Sequence, residues 1–134
     1  MSLIESVKIS EGFRDKVYKC TEGYDTIGYG FAIKDLVMDE DIAEMILIRK
    51  LDSLKKRIAM KFPFVIDLPE SVQDVVVEMC YQLGLGGFSK FKKTIALLRL
   101  GNYEACSVEM LDSKWAKSDS PNRAKELSEI VKSQ

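Results

Sequence analysis

The sequence contains no histidine among its 134 residues. Catalytic arrangements that depend on imidazole, such as Ser-His-Asp and Cys-His sites, are therefore excluded, and any catalysis must use carboxylates, thiols, hydroxyls or lysine. The chain has only three cysteines, an odd number that argues against a disulfide framework and favours a reducing compartment. Because no Cys-x-x-Cys pair is present either, we expect no metal site.

Long apolar runs and an excess of charge of either sign are also missing. No apolar run approaches the ~18 residues that a membrane span requires, and the first residues, MSLIESVK, lack the features of a signal peptide. The net charge is −1, so the composition gives no reason to expect a nucleic acid or an anionic membrane as partner. Basic clusters at residues 55–57 and 90–93 are typical of solvated helix faces. We expect no nucleic-acid partner and no stable membrane association.

The sequence does contain enough apolar residues, 46%, for a chain of this length to bury a core as one domain. The pattern Ser2-Leu3-Ile4-Glu5 is a capping box, which predicts a first helix. Gly12 predicts the end of that helix, so we expect Glu11 at its C-terminus. Residues 13–33 then include the run YDTIGYGFAI, which predicts a small β-hairpin or meander.

Helices account for most of the remaining chain. A long helix is predicted from Asp39, since apolar positions keep helical spacing there for about twenty residues. Further helices are predicted from Pro69 to Gly84, over residues 92–100, over residues 103–112 and from Pro121 onward.

The predicted fold class is α+β, with a small N-terminal β-sheet lobe joined by a long helix to an all-helical C-terminal lobe. We assign about residues 13–60 to the N-terminal lobe with its connecting helix. Residues 1–12 and 61–134 are assigned to the helical lobe. The cleft between two such lobes is a common place for a ligand site.

Three residues near the N-terminus have side chains suited to acid–base chemistry: Glu11, Cys20 and Thr26. Cleavage of a glycosidic bond needs a proton donor for the leaving oxygen and, for inversion, a water on the opposite face of the sugar. A carboxyl at a helix C-terminus, half buried beside Phe13 and Tyr18, would retain its proton longer than a free one. A hydroxyl can orient a water, and a thiol can accept a proton.

The wider pattern resembles a known family. Eight residues separate Glu11 from Cys20 and five separate Cys20 from Thr26, within the run EGFRDKVYKCTEGYDTIGYG. This spacing is the signature of the phage-type lysozymes, glycoside hydrolase family 24. The similarity runs almost continuously through residues 1–30 and resumes over residues 79–127, from MCYQLG through GGF and SKW to SPNRAKEL. Residues 31–78 match only in their helical pattern.

The resemblance implies a lysozyme-like fold and a role for individual residues. Glu11 falls at the position of the general acid. Cys20 falls at that of the second catalytic residue, which is Asp in many members and Cys in others. Thr26 falls where the family has the residue that places the water. Other residues fall where relatives line the substrate cleft or support the acid: Tyr18, Gly30, Tyr81, Gln82, Thr94, Trp115 and Arg123. Among these, Arg123 is implied as the partner of Glu11.

The implied activity is hydrolysis of bacterial peptidoglycan between N-acetylmuramic acid and N-acetylglucosamine, with inversion and without a cofactor. The resemblance also implies a monomeric endolysin that is made in the host cytoplasm and reaches the wall through a holin-type pore. Two alternatives stay open: a non-catalytic wall-binding module of the same fold, and a lytic transglycosylase that closes an anhydro ring without water. The presence of Glu11, Cys20 and Thr26 argues against loss of catalysis, and a water-placing Thr26 argues against the transglycosylase.

At a few positions a purely structural role fits the sequence better than a functional one. Cys80 and Cys106 lie on apolar helix faces and are predicted to be core residues, since free cysteine behaves as a small hydrophobe. Trp115 fits core packing better than a sugar platform. Asp25 precedes Thr26, and because neighbours on a strand point to opposite faces, Asp25 is expected to face away from the cleft.

Overall fold

A computed structural model describes all residues from Met1 to Gln134 and confirms the predicted α+β class. The helices and strands, in chain order, are α1 Leu3–Glu11, β1 Arg14–Lys19, β2 Asp25–Gly28, β3 Phe31–Ala32, α2 Glu40–Lys61, α3 Glu70–Ser89, α4 Lys92–Leu100, α5 Tyr103–Leu111 and α6 Pro121–Lys132. Two short 3-10 helices, Ile33–Asp35 and Pro63–Asp67, and one π-helical turn, Trp115–Asp119, complete the chain. None of the helices combines the length and the hydropathy that a bilayer crossing requires.

The chain divides into two compact units, Met1–Glu44 and Met45–Gln134. The first unit contains α1, the sheet and the start of α2, and the second contains the rest of α2 and the other helices. The assignment of residues 1–12 to a helical lobe stays a prediction.

Local side-chain contacts fix both ends of α1. The backbone N–H of Glu5 donates to Ser2 Oγ at 3.1 Å, and the N–H of Ser2 donates to Glu5 Oε2 at 3.0 Å, so the predicted capping box is confirmed. Gly12 ends the helix with a φ of 71°, which favours glycine. Glu11 is the last residue of the helix, as expected.

The predicted meander is confirmed as a three-stranded antiparallel sheet in the order β1-β2-β3. Tyr18 pairs with Thr26 across the first two strands, and Thr26 pairs with Ala32 across the second and third. Thr26 is buried and its neighbour Asp25 is exposed, so the two side chains alternate as predicted. Thr26 therefore lies at the centre of the sheet, with its side chain on the protected face.

Several helix boundaries in the second unit fall at residues where the sequence predicts them. Gly84 interrupts α3 with a φ of 76° and a ψ of 156°, at the residue where the sequence predicts an end, although helix continues to Ser89. Gly101 closes α4 in the left-handed conformation, and the Asn102 side chain accepts a hydrogen bond from the Ala105 N–H at 3.3 Å.

The core lies entirely within this unit, and its most deeply buried members include Ile58, Val72, Val76, Met79, Cys80, Phe88, Cys106, Met110, Trp115 and Val131. Cys80 and Cys106 are thus core residues, as predicted.

Candidate active site

The first unit contains a cavity of about 320 Å³ that holds all three candidate catalytic residues. It is lined by Glu11, Tyr18, Cys20, Glu22, Tyr24, Thr26, Gly30, Ala32, Lys34 and Asp35. The end of α1 supplies the carboxylate, the first hairpin supplies the thiol and the hydroxyl, and the segment after β3 closes the cavity. Two of the predicted cleft residues, Tyr18 and Gly30, line the same cavity.

Glu11 and Gly30 approach each other closely. A Cβ atom built on Gly30 would lie 2.5 Å from Glu11 Oε2, and the φ of Gly30 is +77°. Glycine suits this position, because a side chain would displace the Glu11 carboxylate and would strain the backbone. The prediction that Glu11 is half buried beside Phe13 is wrong, since both residues are exposed. The Phe13 ring instead packs against Tyr29, with ring centroids 5.5 Å apart.

The Cys20 sulfur lies at the end of β1, where the hairpin turn wraps around it. The Cys20 N–H donates to Tyr24 O at 3.0 Å and the Gly23 N–H donates to Cys20 O at 2.9 Å. Hydrogen bonds from the backbone N–H groups of Tyr24 and then Glu22 hold the pKa of the Cys20 thiol below its ordinary value. Desolvation opposes these two hydrogen bonds and raises the pKa, the Thr26 hydroxyl lowers the pKa by a smaller effect, and the Glu22 carboxylate raises it least. The turn therefore favours the thiolate.

Thr26 is held by the strand and by its own hydroxyl. It is 3% exposed, and its Oγ1 donates to Tyr24 O at 2.9 Å. A hydroxyl has one proton and two acceptor lone pairs. Thr26 can therefore donate its proton either to Tyr24 O or to the Cys20 sulfur, but not to both at once. In the observed rotamer its lone pairs are left to accept a hydrogen bond from a water in the cavity.

Two cations cover tyrosine rings of the cavity wall. The Arg14 guanidinium lies 4.4 Å from the centroid of the Tyr18 ring, and Lys34 Nζ lies 4.2 Å from that of Tyr24. Sequence reasoning missed five of the cavity residues: Glu22, Tyr24, Ala32, Lys34 and Asp35. Tyr24 lies in the turn between β1 and β2 and Lys34 in the 3-10 helix after β3, so no strand period indicated these two.

The other predicted substrate-binding residues lie in the second unit. Tyr81 is 50% exposed on α3. Trp115 is 2% exposed, and its Nε1 donates to Gln82 Oε1 at 3.1 Å. Gln82 Nε2 in turn donates to Ser120 Oγ. The Trp115 ring packs edge-on against Phe91, so it occupies the core as the packing interpretation expected.

Thr94 is buried beside a separate cavity of about 400 Å³ that Lys90, Lys93 and Glu109 also line. Arg123 has a partner in its own unit, since its Nε lies 3.5 Å from Glu78 Oε1. The implied pairing of Arg123 with Glu11 stays a prediction, as do the substrate contacts of all seven cleft residues. No group of three Cys, Asp or Glu side chains in the structure is arranged to hold a metal ion.

Comparison with known proteins finds similarity to phage proteins. Residues 8–132 match the family model described as phage lysozyme. The pre-baseplate central spike protein Gp5 of Enterobacteria phage T4 is 27% identical in an alignment 149 residues long, gaps included, that covers 86% of this chain and 25% of that protein. An endolysin of Acyrthosiphon pisum secondary endosymbiont phage 1 is 25% identical over 130 residues, which cover 94% of this chain and 85% of the endolysin. The match thus spans about a quarter of the spike protein and most of the endolysin. Since the family model covers nearly the whole sequence, this chain belongs to the phage lysozyme family.

Proposed function

We propose that this protein is an endolysin-type muramidase. Its substrate is bacterial peptidoglycan, and the bond that it hydrolyses is the β-1,4 linkage between N-acetylmuramic acid and N-acetylglucosamine. The observation that carries the proposal is the cavity in which Glu11, Cys20 and Thr26 meet. Membership of the phage lysozyme family and the similarity to an endolysin support it.

Glu11 acts in this mechanism as the general acid. Its carboxyl group is exposed at the end of α1, so it can reach a glycosidic oxygen bound at the mouth of the cavity. Gly30 leaves the space that the carboxyl group needs, because the backbone there has no side chain to obstruct Oε2. Protonation of the leaving oxygen lets the bond to the anomeric carbon break.

Cys20 and Thr26 hold the attacking water. The cavity volume, about 320 Å³, exceeds the ~30 Å³ share of one water many times over. A water that donates one hydrogen to Thr26 Oγ1 and the other to Cys20 Sγ directs its oxygen lone pair away from both, toward the sugar. The thiolate form of Cys20 then accepts a proton as the water attacks, and attack from the face opposite Glu11 inverts the anomeric centre.

The chain's route to its substrate follows from the same proposal. The protein acts as a monomer, is made in the host cytoplasm and reaches the wall through a holin-type pore. No cofactor is needed, because both proton transfers use side chains of the chain.

Replacement of the acid tests the proposal directly. Glu11→Gln should abolish clearing of chloroform-treated Gram-negative cells, because the amide cannot donate the proton. Helical circular dichroism should be unchanged, since the side chain is exposed. Asp25→Asn is a matched control: it also removes an exposed carboxylate from the first unit, but its side chain points away from the cavity side. Residual activity of Glu11→Gln within tenfold of the wild type would contradict the assignment.

Product chemistry separates the two alternatives. NMR of early products should show reducing ends of inverted configuration. Anhydro-muramic ends would identify a lytic transglycosylase, and tight binding to sacculi without any product would identify a wall-binding module.

A further inference from the structure

The second unit contains a groove between α2 and α3 with a volume of about 520 Å³. We call it the α2–α3 groove; its lining residues are Ile46, Arg49, Lys50, Ser53, Leu54 and Arg57 of α2 and Cys80, Tyr81, Gly84 and Leu85 of α3. Counted from Ile46, the other α2 members lie three, four, seven, eight and eleven positions further on, so they form one stripe along the helix. Of these residues only Tyr81 is among the predicted cleft residues, and the proposed acid–base steps use none of them.

The charged side chains of the groove are all cations. Arg49, Lys50 and Arg57 line it, and no carboxylate does. None of the three takes part in an ion pair of the structure. The helix dipole favours cations in the last turn of a helix, but Arg49 and Lys50 lie in the middle of α2. Asp52 of the same helix lies outside the stripe, so no carboxylate of α2 opposes these cations within the groove.

The floor of the groove is apolar. Leu54 and Cys80 are buried beneath the cations. Burial raises the pKa of the Cys80 thiol to about 12, so this sulfur supplies no negative charge at neutral pH. At Gly84 the left-handed backbone breaks the helix, and nothing lies within 4 Å of where a Cβ would be, which leaves room at this end.

We propose that the α2–α3 groove binds an acidic peptide, namely the carboxylate-bearing stem peptide of peptidoglycan. Guanidinium groups pair with carboxylates through two parallel hydrogen bonds, and Lys50 adds a third positive charge. The apolar floor suits the small methyl side chains of the alanine residues that flank the carboxylate-bearing residues in such a peptide. The identity of the peptide rests on the proposed muramidase function, while the preference for an acidic peptide rests on the groove itself.

A soluble peptide tests the groove separately from catalysis. The probe is synthetic L-Ala-D-Glu-diaminopimelate-D-Ala with free carboxylates, titrated at low salt and followed by NMR shifts. Wild type and Glu11→Gln should bind it equally. The triple variant Arg49→Gln/Lys50→Gln/Arg57→Gln should bind at least about tenfold more weakly, since each exposed charge pair contributes a few-fold.

Matched controls distinguish charge at the groove from total charge. Lys56→Gln/Lys125→Gln/Lys132→Gln removes the same number of exposed cations, none of which lines the groove, and should bind like the wild type. A peptide with all carboxylates amidated should fail to bind. All six substitutions are on exposed side chains, and unchanged circular dichroism and Tm will show that each variant is folded.

The outcomes separate the two proposals. Peptide binding that depends on the three cations, in a protein that fails to clear cells, would support the groove and overturn the muramidase function. Clearing without peptide binding, or equal binding by the triple variant or of the amidated peptide, would overturn the groove. Cation-dependent binding to vesicles of anionic phospholipid but not to the peptide would overturn it too.

Discussion

Cys20, Cys80 and Cys106 show how one residue type acquires different chemistry from its surroundings. Amide hydrogen bonds in the hairpin turn lower the pKa of Cys20. Burial, the largest effect at the other two, raises the pKa of Cys80 to about 12 and that of Cys106 to about 11. The thiolate is the nucleophilic form, so of the three thiols Cys20 is the one that becomes reactive at the lowest pH.

Alkylation by iodoacetamide should therefore be selective and depend on pH. A lowered pKa means that the Cys20 thiolate is populated at a lower pH than in an unfolded chain, so its labelling should begin below the range of an ordinary thiol. Cys80 and Cys106 should be labelled only after unfolding. Peptide mapping by mass spectrometry across a pH series measures all three. Equal labelling rates in the folded protein would show that the turn does not activate Cys20.

Substitution of Cys20 tests its place in the reaction. We expect Cys20→Asp to remain active, because a carboxylate can hold a water and accept its proton as the thiolate does. Cys20→Ala should lose most of its activity, about 10²-fold or more, since general base catalysis contributes on this order. Clearing rates of purified variants provide the measurement. A Cys20→Ala protein as active as wild type would show that Thr26 alone suffices to place the water.

The approach of the hairpin to α1 is the contact between elements that shapes the candidate site. Gly30 follows β2, and the space that it leaves is filled by the carboxylate of Glu11 at the end of α1. Any side chain at position 30 would meet both a steric and a conformational obstacle.

Gly30→Ala should consequently lose activity out of proportion to its loss of stability. A non-glycine residue in the left-handed region costs about 1–2 kcal/mol. Gly101→Ala places alanine at a similar positive φ, +73° against +77° at Gly30, but nothing lies within 4 Å of its Cβ. Urea unfolding should show similar destabilisation of the two variants, and clearing rates per folded molecule should fall only for Gly30→Ala. A Gly30→Ala variant with unimpaired clearing would mean that Glu11 moves aside freely.

Element boundaries could be predicted from the sequence wherever a local interaction sets them. The capping box at Ser2, the cap at Asn102 and the closing Gly101 each depend on residues within one turn. The π-helical turn Trp115–Asp119 was not predicted. It carries the buried Trp115, whose ring packs against residues distant in sequence, and periodicity cannot reveal such a tertiary constraint.

The sequence predicted some of the residues that line the candidate site, but not the exposure and the contacts of those residues. The spacing of Glu11, Cys20 and Thr26 identified three residues that line one cavity. The exposure of Glu11 was not predictable, because it depends on where the Phe13 ring packs. The pairing of Arg123 with Glu78 likewise depends on how α3 and α6 pack, which the sequence pattern does not specify.

Burial is distributed very unevenly along the molecule. Every buried apolar side chain lies between Leu54 and Val131. Among residues 1–44 the only buried side chain is that of Thr26, whereas large apolar residues of α1 such as Leu3 and Ile4 are exposed. Apolar burial contributes roughly 25 cal/mol per Å², so nearly all of the hydrophobic stabilisation belongs to the second unit.

Native-state hydrogen exchange should reveal this difference in the intact chain. Amides of β1 and β2 are expected to exchange through local openings of low free energy, because few buried contacts oppose the separation of these strands. Amides of α3 and α6, which surround Val76 and Val131 in the core, should exchange only through global unfolding. Exchange rates measured by NMR against denaturant give the opening free energy of each amide, and the denaturant dependence should be small for the sheet and large for the core helices. Equal opening free energies in the two units would show that they unfold as one cooperative body, and the uneven burial would then have no consequence for stability.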